Sequence, residues 1–185
     1  MKKILSLITA LAFLHAATAQ VWYTKNGFVS FYSHTSVEDI KAENAEVVSF
    51  LDTSKGEFRF QLLVKGFQFK KAAMQEHFNT PDYMDSDKFP KSEFKGKIAD
   101  IKAVNFKKDG TYNVTVSGNL TMHGVTKAIT EKGTITINAG KVSMNAVFKV
   151  KRADYAISAP SFAAAKIAEV IEVTVKCDYE PYKKG

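Results

Sequence analysis

The sequence predicts an all-β chain: about eight antiparallel strands joined mostly by short turns and wrapped into an up-and-down barrel, with a short helix and loop covering one end. Three observations predict it. Apolar and polar residues alternate with period two through most of the chain, glycine-bearing turn signals punctuate the alternating runs, and one clear helical pattern interrupts them before the C-terminal third. Strands that alternate this cleanly have a single dry face. A sheet of eight such strands buries that face by closing on itself, which also removes the edges prone to aggregation. Two packed sheets are the alternative arrangement.

In chain order, "GFVSFYSH" (27–34) and "AEVVSFLD" (45–52) read as the first strands. In "EFRFQLLV" the residues Phe58, Phe60, Leu62 and Val64 share a face. The helix is predicted over 67–79, "FQFKKAAMQEHFN", where Phe67, Lys71, Met74 and Phe78 fall on one stripe beside Ala72 and Ala73. It ends by Thr80, because the residue before Pro81 is biased to extended geometry. "SEFKGKIADIKAVNF" (92–106) opens as a strand with Phe94, Gly96 and Ile98 on one side, and its change of phase near Asp100 predicts a bulge.

In "TYNVTVSGNLTMH" (111–123), Tyr112, Val114, Val116, Gly118, Leu120 and Met122 face one way. Ile135 and Ile137 do so in "GTITINAG", followed by Val142, Met144, Ala146, Phe148 and Val150 in "KVSMNAVFKV". The last strand, "IEVTVKCDY", puts Cys177 on its apolar face with Ile171, Val173, Val175 and Tyr179. "APSFAAAKIAEV" (159–170) is too short a pattern for more than a loop with a turn of helix. Turns are predicted at Gly27, Gly56, Gly110, Gly124, Gly133 and Gly140, and sharp bends within strands at Gly66, Gly96 and Gly118.

The first nineteen residues have the layout of a cleavable leader. Lys2 and Lys3 precede the apolar run "ILSLITALAFLHA", and "ATA" ends at Ala19 with the expected cut before Gln20. This leaves 20–185 as one domain, periplasmic or secreted. With Cys177 its one cysteine, the chain has no internal disulfide, so its core must hold it together. The charge of +7 is spread over scattered lysines. That distribution argues against a nucleic-acid partner, while a weak attraction to anionic membrane surfaces and a homodimer both stay open.

The stretch "MQEHFNTPDYMDSDKFPKSEF" (74–94) poses the functional question. A calcium loop starting at Asp82 would need glycine where Asp87 stands, and zinc would need more nitrogen or sulfur than His77 supplies, so no metal is expected. No nucleophile elbow or phosphate-cradling loop occurs, so neither catalysis nor a cofactor is expected; an enzyme using His77 or His123 with a carboxylate is the weakest reading. What remains is a flap carrying Met74, Phe78, Tyr83, Met84, Phe89 and Phe94. It covers a mouth, or it plugs the barrel and leaves a ligand-free structural module.

"MQEHFNTPDYMDSDKFPKSEFKGKI" (74–98), followed by "GTYNVTVSGNLTMHGVTKAI" (110–129), resembles the YceI-like family of exported, lipocalin-like barrels. The shared elements are the helix ending in His77-Phe78, the Phe89-Pro90 step, Phe94, and the strand and hairpin of Val116 to Lys127. The resemblance implies an extended eight-stranded barrel whose pore holds a polyisoprenoid or related lipid, hence a periplasmic carrier of a long apolar or amphiphilic molecule. Phe58, Phe60, Leu62, Val114, Val116, Leu120, Met144 and Phe148 would then line the pore with the flap residues. His77, Asn79, Lys88 and His123 are the candidates for head-group contacts at its mouth.

Overall fold

The computed structural model describes residues 21–182; the predicted leader lies outside them. The order is β1 (Val21–His34), β2 (Asp39–Asp52), β3 (Glu57–Leu63), β4 (Gln68–Phe69), α1 (Ala72–Asn79), β5 (Lys91–Ile98), β6 (Gly110–Met122), β7 (Val125–Asn138), β8 (Lys141–Lys151) and β9 (Val170–Pro181). Eight strands close an antiparallel ring, β1-β9-β8-β7-β6-β5-β3-β2, with β2 pairing back onto β1; the two-residue β4 is an extra strand on β2. A single closed barrel, not a pair of sheets, buries the dry faces. In β3, for instance, Phe58, Phe60 and Leu62 are buried while Glu57, Arg59 and Leu63 are exposed.

The hairpins follow their local chemistry. His123-Gly124 and Ala139-Gly140 have φ of 51°, 74°, 48° and 75°, the paired left-handed geometry that matches strand twist in two-residue turns. Gly96 and Gly118 face each other across β5 and β6 under the Phe94 ring. A Cβ on Gly118 would lie 2.4 Å from Gly96 Cα, so the bend there depends on the missing side chains.

Gly66 ends a 3-10 turn, Val64–Gly66, rather than bending a strand, and four further local expectations give way to long-range packing. Gly27 and Gly133 stand inside β1 and β7 rather than in turns. Gly27 sits where the β1 register shifts, so close to β9 that a Cβ would be 2.9 Å from Cys177 Sγ. The helix begins at Ala72, not Phe67, because Gln68 and Phe69 pair with Glu43 and Ala42 instead. β5 stops at Ile98 without the bulge expected near Asp100; a 3-10 turn at Ile101–Ala103 follows, and Val104 folds into the barrel end. Before β9 begins at Val170, residues 159–169 carry only a 3-10 turn, Ala164–Lys166, as their composition predicts.

The barrel has two unlike ends. The base receives both ends of the described chain, the 53–56 and 139–140 turns and the 99–109 crossing. It is filled by Leu51, Ile98, Ile135, Ile137 and Val142, each 0–1 % exposed. Each such side chain contributes about 1.5–3 kcal/mol through removal from water. Tyr179 is buried there, its hydroxyl 2.7 Å from Ser49 Oγ, while Ser49 Oγ donates to Arg59 O at 2.8 Å. The roof carries the 35–38 turn, the segment from Val64 to Pro90, the 123–124 hairpin and the loop 152–169.

Candidate functional site

Between base and roof the barrel encloses a cavity of about 490 Å³. Its wall comes from inward positions of the alternating strands. Phe58, Phe60 and Leu62 of β3, Phe94 of β5, Val116 and Leu120 of β6, and Met144 and Phe148 of β8 all line it. Val114 does not: paired opposite Gly133, it packs into the base core. The opposite wall, which residue-level reading of the pore left out, consists of Val29 and Phe31 of β1 with Val173, Val175 and Cys177 of β9. Their alternation was visible in the sequence; which strands would surround the cavity was not.

Above this wall α1 supplies Met74 and Phe78, and the following loop supplies Tyr83 and Met84. Phe78 seats the helix in an aromatic nest. Its ring centroid lies 5.6 Å from Phe31 in a stacked arrangement, 5.6 Å from Phe67 and 5.0 Å from Phe69. Such pairs add roughly 0.5–1.5 kcal/mol each beyond area burial. The loop is braced from within by its own backbone: Met84 N donates to Phe78 O, Asp85 N to Thr80 O and Ser86 N to Asn79 O.

The other flap and mouth residues fall in different places. His77 lines the cavity from the exposed side of α1. Phe89 does not line it; it stacks edge-on against His123 at 4.7 Å and fills the space a Cβ on Gly124 would need. His123 Nδ1 donates to Tyr155 O at 3.1 Å, so this pair clasps the 123–124 hairpin to the 80–90 loop and the 152–155 turn. Lys88 lies with Nζ 5.2 Å from the Phe89 ring, and Asn79 donates to Gln75 O at 2.7 Å. Asn79, Lys88 and His123 therefore brace the roof from outside the cavity.

Arg152 is the polar residue without a sequence signal. It lines the cavity, and its Nε donates to Ala168 O at 2.7 Å, Nη1 to Ile157 O at 3.1 Å and Nη2 to Ile167 O at 3.4 Å. Ala168 N in turn donates to Ser33 Oγ at 2.9 Å, tying the loop to β1. The remaining polar rim includes Glu38, which pairs with Lys71 at 3.2 Å, together with Glu131, Lys132 and Lys166. Among the described residues, no three His, Cys, Asp or Glu side chains come together as metal ligands. Cys177, at the lower limit of the cavity, has its thiol pushed up to about 12 by burial, so it stays protonated and inert. The chamber's chemistry is thus hydrophobic contact with a sparse polar edge.

Comparison with known proteins places this geometry. Residues 18–179 match the family of the YceI-like domain. No curated protein matches the sequence. Among solved structures, the chain is similar to a polyisoprenoid-binding domain from Saccharophagus degradans implicated in plant cell wall breakdown, with TM-score 0.76 and 12 % identity over 89 % of this chain and 99 % of that one. It is also similar to BcnA of Burkholderia cenocepacia, with TM-score 0.70 and 17 % identity over 83 % and 96 % of the two chains. The YceI protein of Campylobacter jejuni gives TM-score 0.58 and 15 % identity over 82 % and 90 %. At these identities the likeness is one of fold.

Proposed function

The chain belongs to the YceI-like domain family, and from that premise we propose that it binds and carries a long apolar or amphiphilic molecule, a polyisoprenoid or related lipid, in the barrel cavity after export to the periplasm. The observation that carries this reading is the cavity of about 490 Å³ walled by phenylalanine, methionine and aliphatic side chains. The leader-like residues 1–19 support export. The scattered positive charge supports a weak attraction to anionic membranes during exchange of cargo.

The energetics suit a carrier. A tail hiding about 400 Å² of its surface would gain roughly 10 kcal/mol at about 25 cal/mol per Å². Association and ordering costs of about 4–15 kcal/mol leave binding that is reversible. Apolar contact has no direction, so several chain lengths fit. The reading needs no catalytic step. His123 is engaged with a backbone carbonyl rather than a carboxylate, and His77 sits exposed on α1.

Native mass spectrometry of protein purified from its own host, with solvent extraction, tests the proposal. The expected outcome is a co-purified lipid displaced by a fluorescent prenyl or fatty probe. Protein that yields no lipid and takes up no probe would instead be a ligand-free structural barrel. His77→Ala and His123→Ala should leave uptake in place.

A further inference from the structure

Two seams in the barrel wall come apart along the cavity, and only one of them is filled. β2 leaves β3 above the pair Val48–Gln61. That gap is closed by fully buried Asn44, whose Nδ2 donates to Leu63 O at 3.0 Å, by buried Phe67, and by β4 laid against Ala42 and Glu43. At the other seam, β7 and β8 pair from Asn138–Lys141 up to Gly133–Ala146, and the ladder stops. β7 continues to Val125 bonded to β6, and β8 continues to Lys151 bonded to β9. Residues 125–132 and 147–151 therefore leave a slit between them. Its upper limit is the His123–Tyr155 clasp, at 3.1 Å.

The cavity reaches this slit. Its lining includes Glu131, Lys132 and Gly133 from β7 with Asn145 and Ala146 from β8, and of these Lys132 and Asn145 are exposed. The lips are apolar inside, at Ile129 and Phe148, and Val147 on the outer lip is 58 % exposed. The two free edges carry Lys127, Lys132, Lys149 and Lys151 against Glu131 alone. Like charges on facing edges oppose zipping, and lysines on a free edge deter pairing by a foreign strand. Glu131 alternates inward with Ile129 and Gly133. It lines the cavity half-buried and has neither an ion pair nor a hydrogen bond among the described residues.

We propose that the slit between β7 and β8 is a lateral opening of the cavity, through which the chain of an amphiphile passes sideways while its polar end rests at the rim formed by Glu131, Lys132 and Asn145. This rests on the cavity being a lipid site. It adds a route distinct from the roof, where α1 and the 80–90 and 152–169 segments cross the axis and bury Met84, Ile157 and Ala163. A sideways port lets a long tail enter without lifting that roof. It also offers the head group Glu131, which has no partner of its own among the described residues.

Stitching the slit shut tests this. Thr130→Cys and Lys149→Cys place exposed thiols on the facing edges midway along the slit, outside the proposed rim, and buried Cys177, its thiol pushed up to about 12, does not compete for maleimide. Uptake of a pyrene-labelled long-chain alcohol is followed by stopped-flow fluorescence, comparing protein cross-linked by a short bismaleimide with the same variant capped by N-ethylmaleimide. Uptake should slow at least about tenfold on cross-linking, the equivalent of about 1.4 kcal/mol in barrier height. A Thr136→Cys/Ser143→Cys pair, stitched where the strands are already bonded, should show no slowing. Equal rates with and without the slit stitch, or an equal slowing in the lower pair, would overturn the lateral route while leaving the lipid site standing. Absence of uptake by the unmodified protein would remove both.

Discussion

At its base the barrel is solid; toward the roof the same eight strands stand around a chamber. The strands alternate identically in both halves, so the difference does not lie in the binary pattern. In the base, branched aliphatic residues from β2, β5, β7 and β8 meet across the axis, and Val104 from the 99–109 crossing closes the end. In the upper half, phenylalanines on β1, β3 and β5 stand against the wall, and the crossing segments lie over the top as a roof rather than entering as a plug. A closed barrel of this strand number is near the size where side chains can either fill the interior or spare room for a small ligand. Here one molecule does both.

The sharpest way to break that comparison is to delete volume from the base. Ile135→Ala should cost about 2–5 kcal/mol in urea denaturation, since a fully buried site cannot collapse around the loss. Uptake per folded molecule should not change. The reverse experiment adds volume above. Val116→Trp should abolish probe uptake while costing less than the roughly 1–3 kcal/mol typical of overpacking a filled core. Unchanged occupancy in the folded variant would show that this face of β6 does not bound the guest.

Tyr179→Phe comes next. It removes the buried hydroxyl that lies 2.7 Å from Ser49 Oγ and 3.6 Å from Met144 Sδ, and should cost about 0.5–1.5 kcal/mol with no effect on uptake. The smallest effect lies at the base turn, where the Ser54 hydroxyl and the backbone amides of Ser54 and Lys55 hold the Asp52 carboxyl below its ordinary range. A depressed folded pKa means stability that is present above the unfolded value of about 3.9 and is lost as pH falls through the folded one. The deficit of Asp52→Asn in urea titrations should therefore shrink as the pH is lowered below about 4. A deficit independent of pH would assign the turn's stability to its backbone alone.

Alternation and turn chemistry made the closed barrel legible before any coordinates, and the 74–98 and 110–129 stretches carried the family. Position along the barrel axis was less legible. Val114 and Val116 are equivalent by pattern, yet one lies in the base and the other on the chamber wall, because depth is set by register with β5 and β7. Phe89 and His123 carry the residue types of a mouth but serve as a clasp, since a two-residue turn brings Gly124 beneath the Phe89 ring. The triplets "KNG" and "EKG" have turn composition, yet pairing along β1 and β7 overrides it. Arg152 gave no signal because its partners are backbone carbonyls sixteen, fifteen and five residues away.

That arginine has a consequence for how such proteins diversify. Residues 153–168 leave the barrel and return to nearly the same point, with Arg152 N bonded to Glu169 O and the guanidinium gripping the descending limb. An Ω-type excursion fastened at its neck adds to the scaffold without entering its ladders, touching it through Tyr155, Ile157 and Ala168. Its exposed positions can therefore change without renegotiating a single β-ladder, which leaves the container's upper edge open to re-fitting for a different cargo.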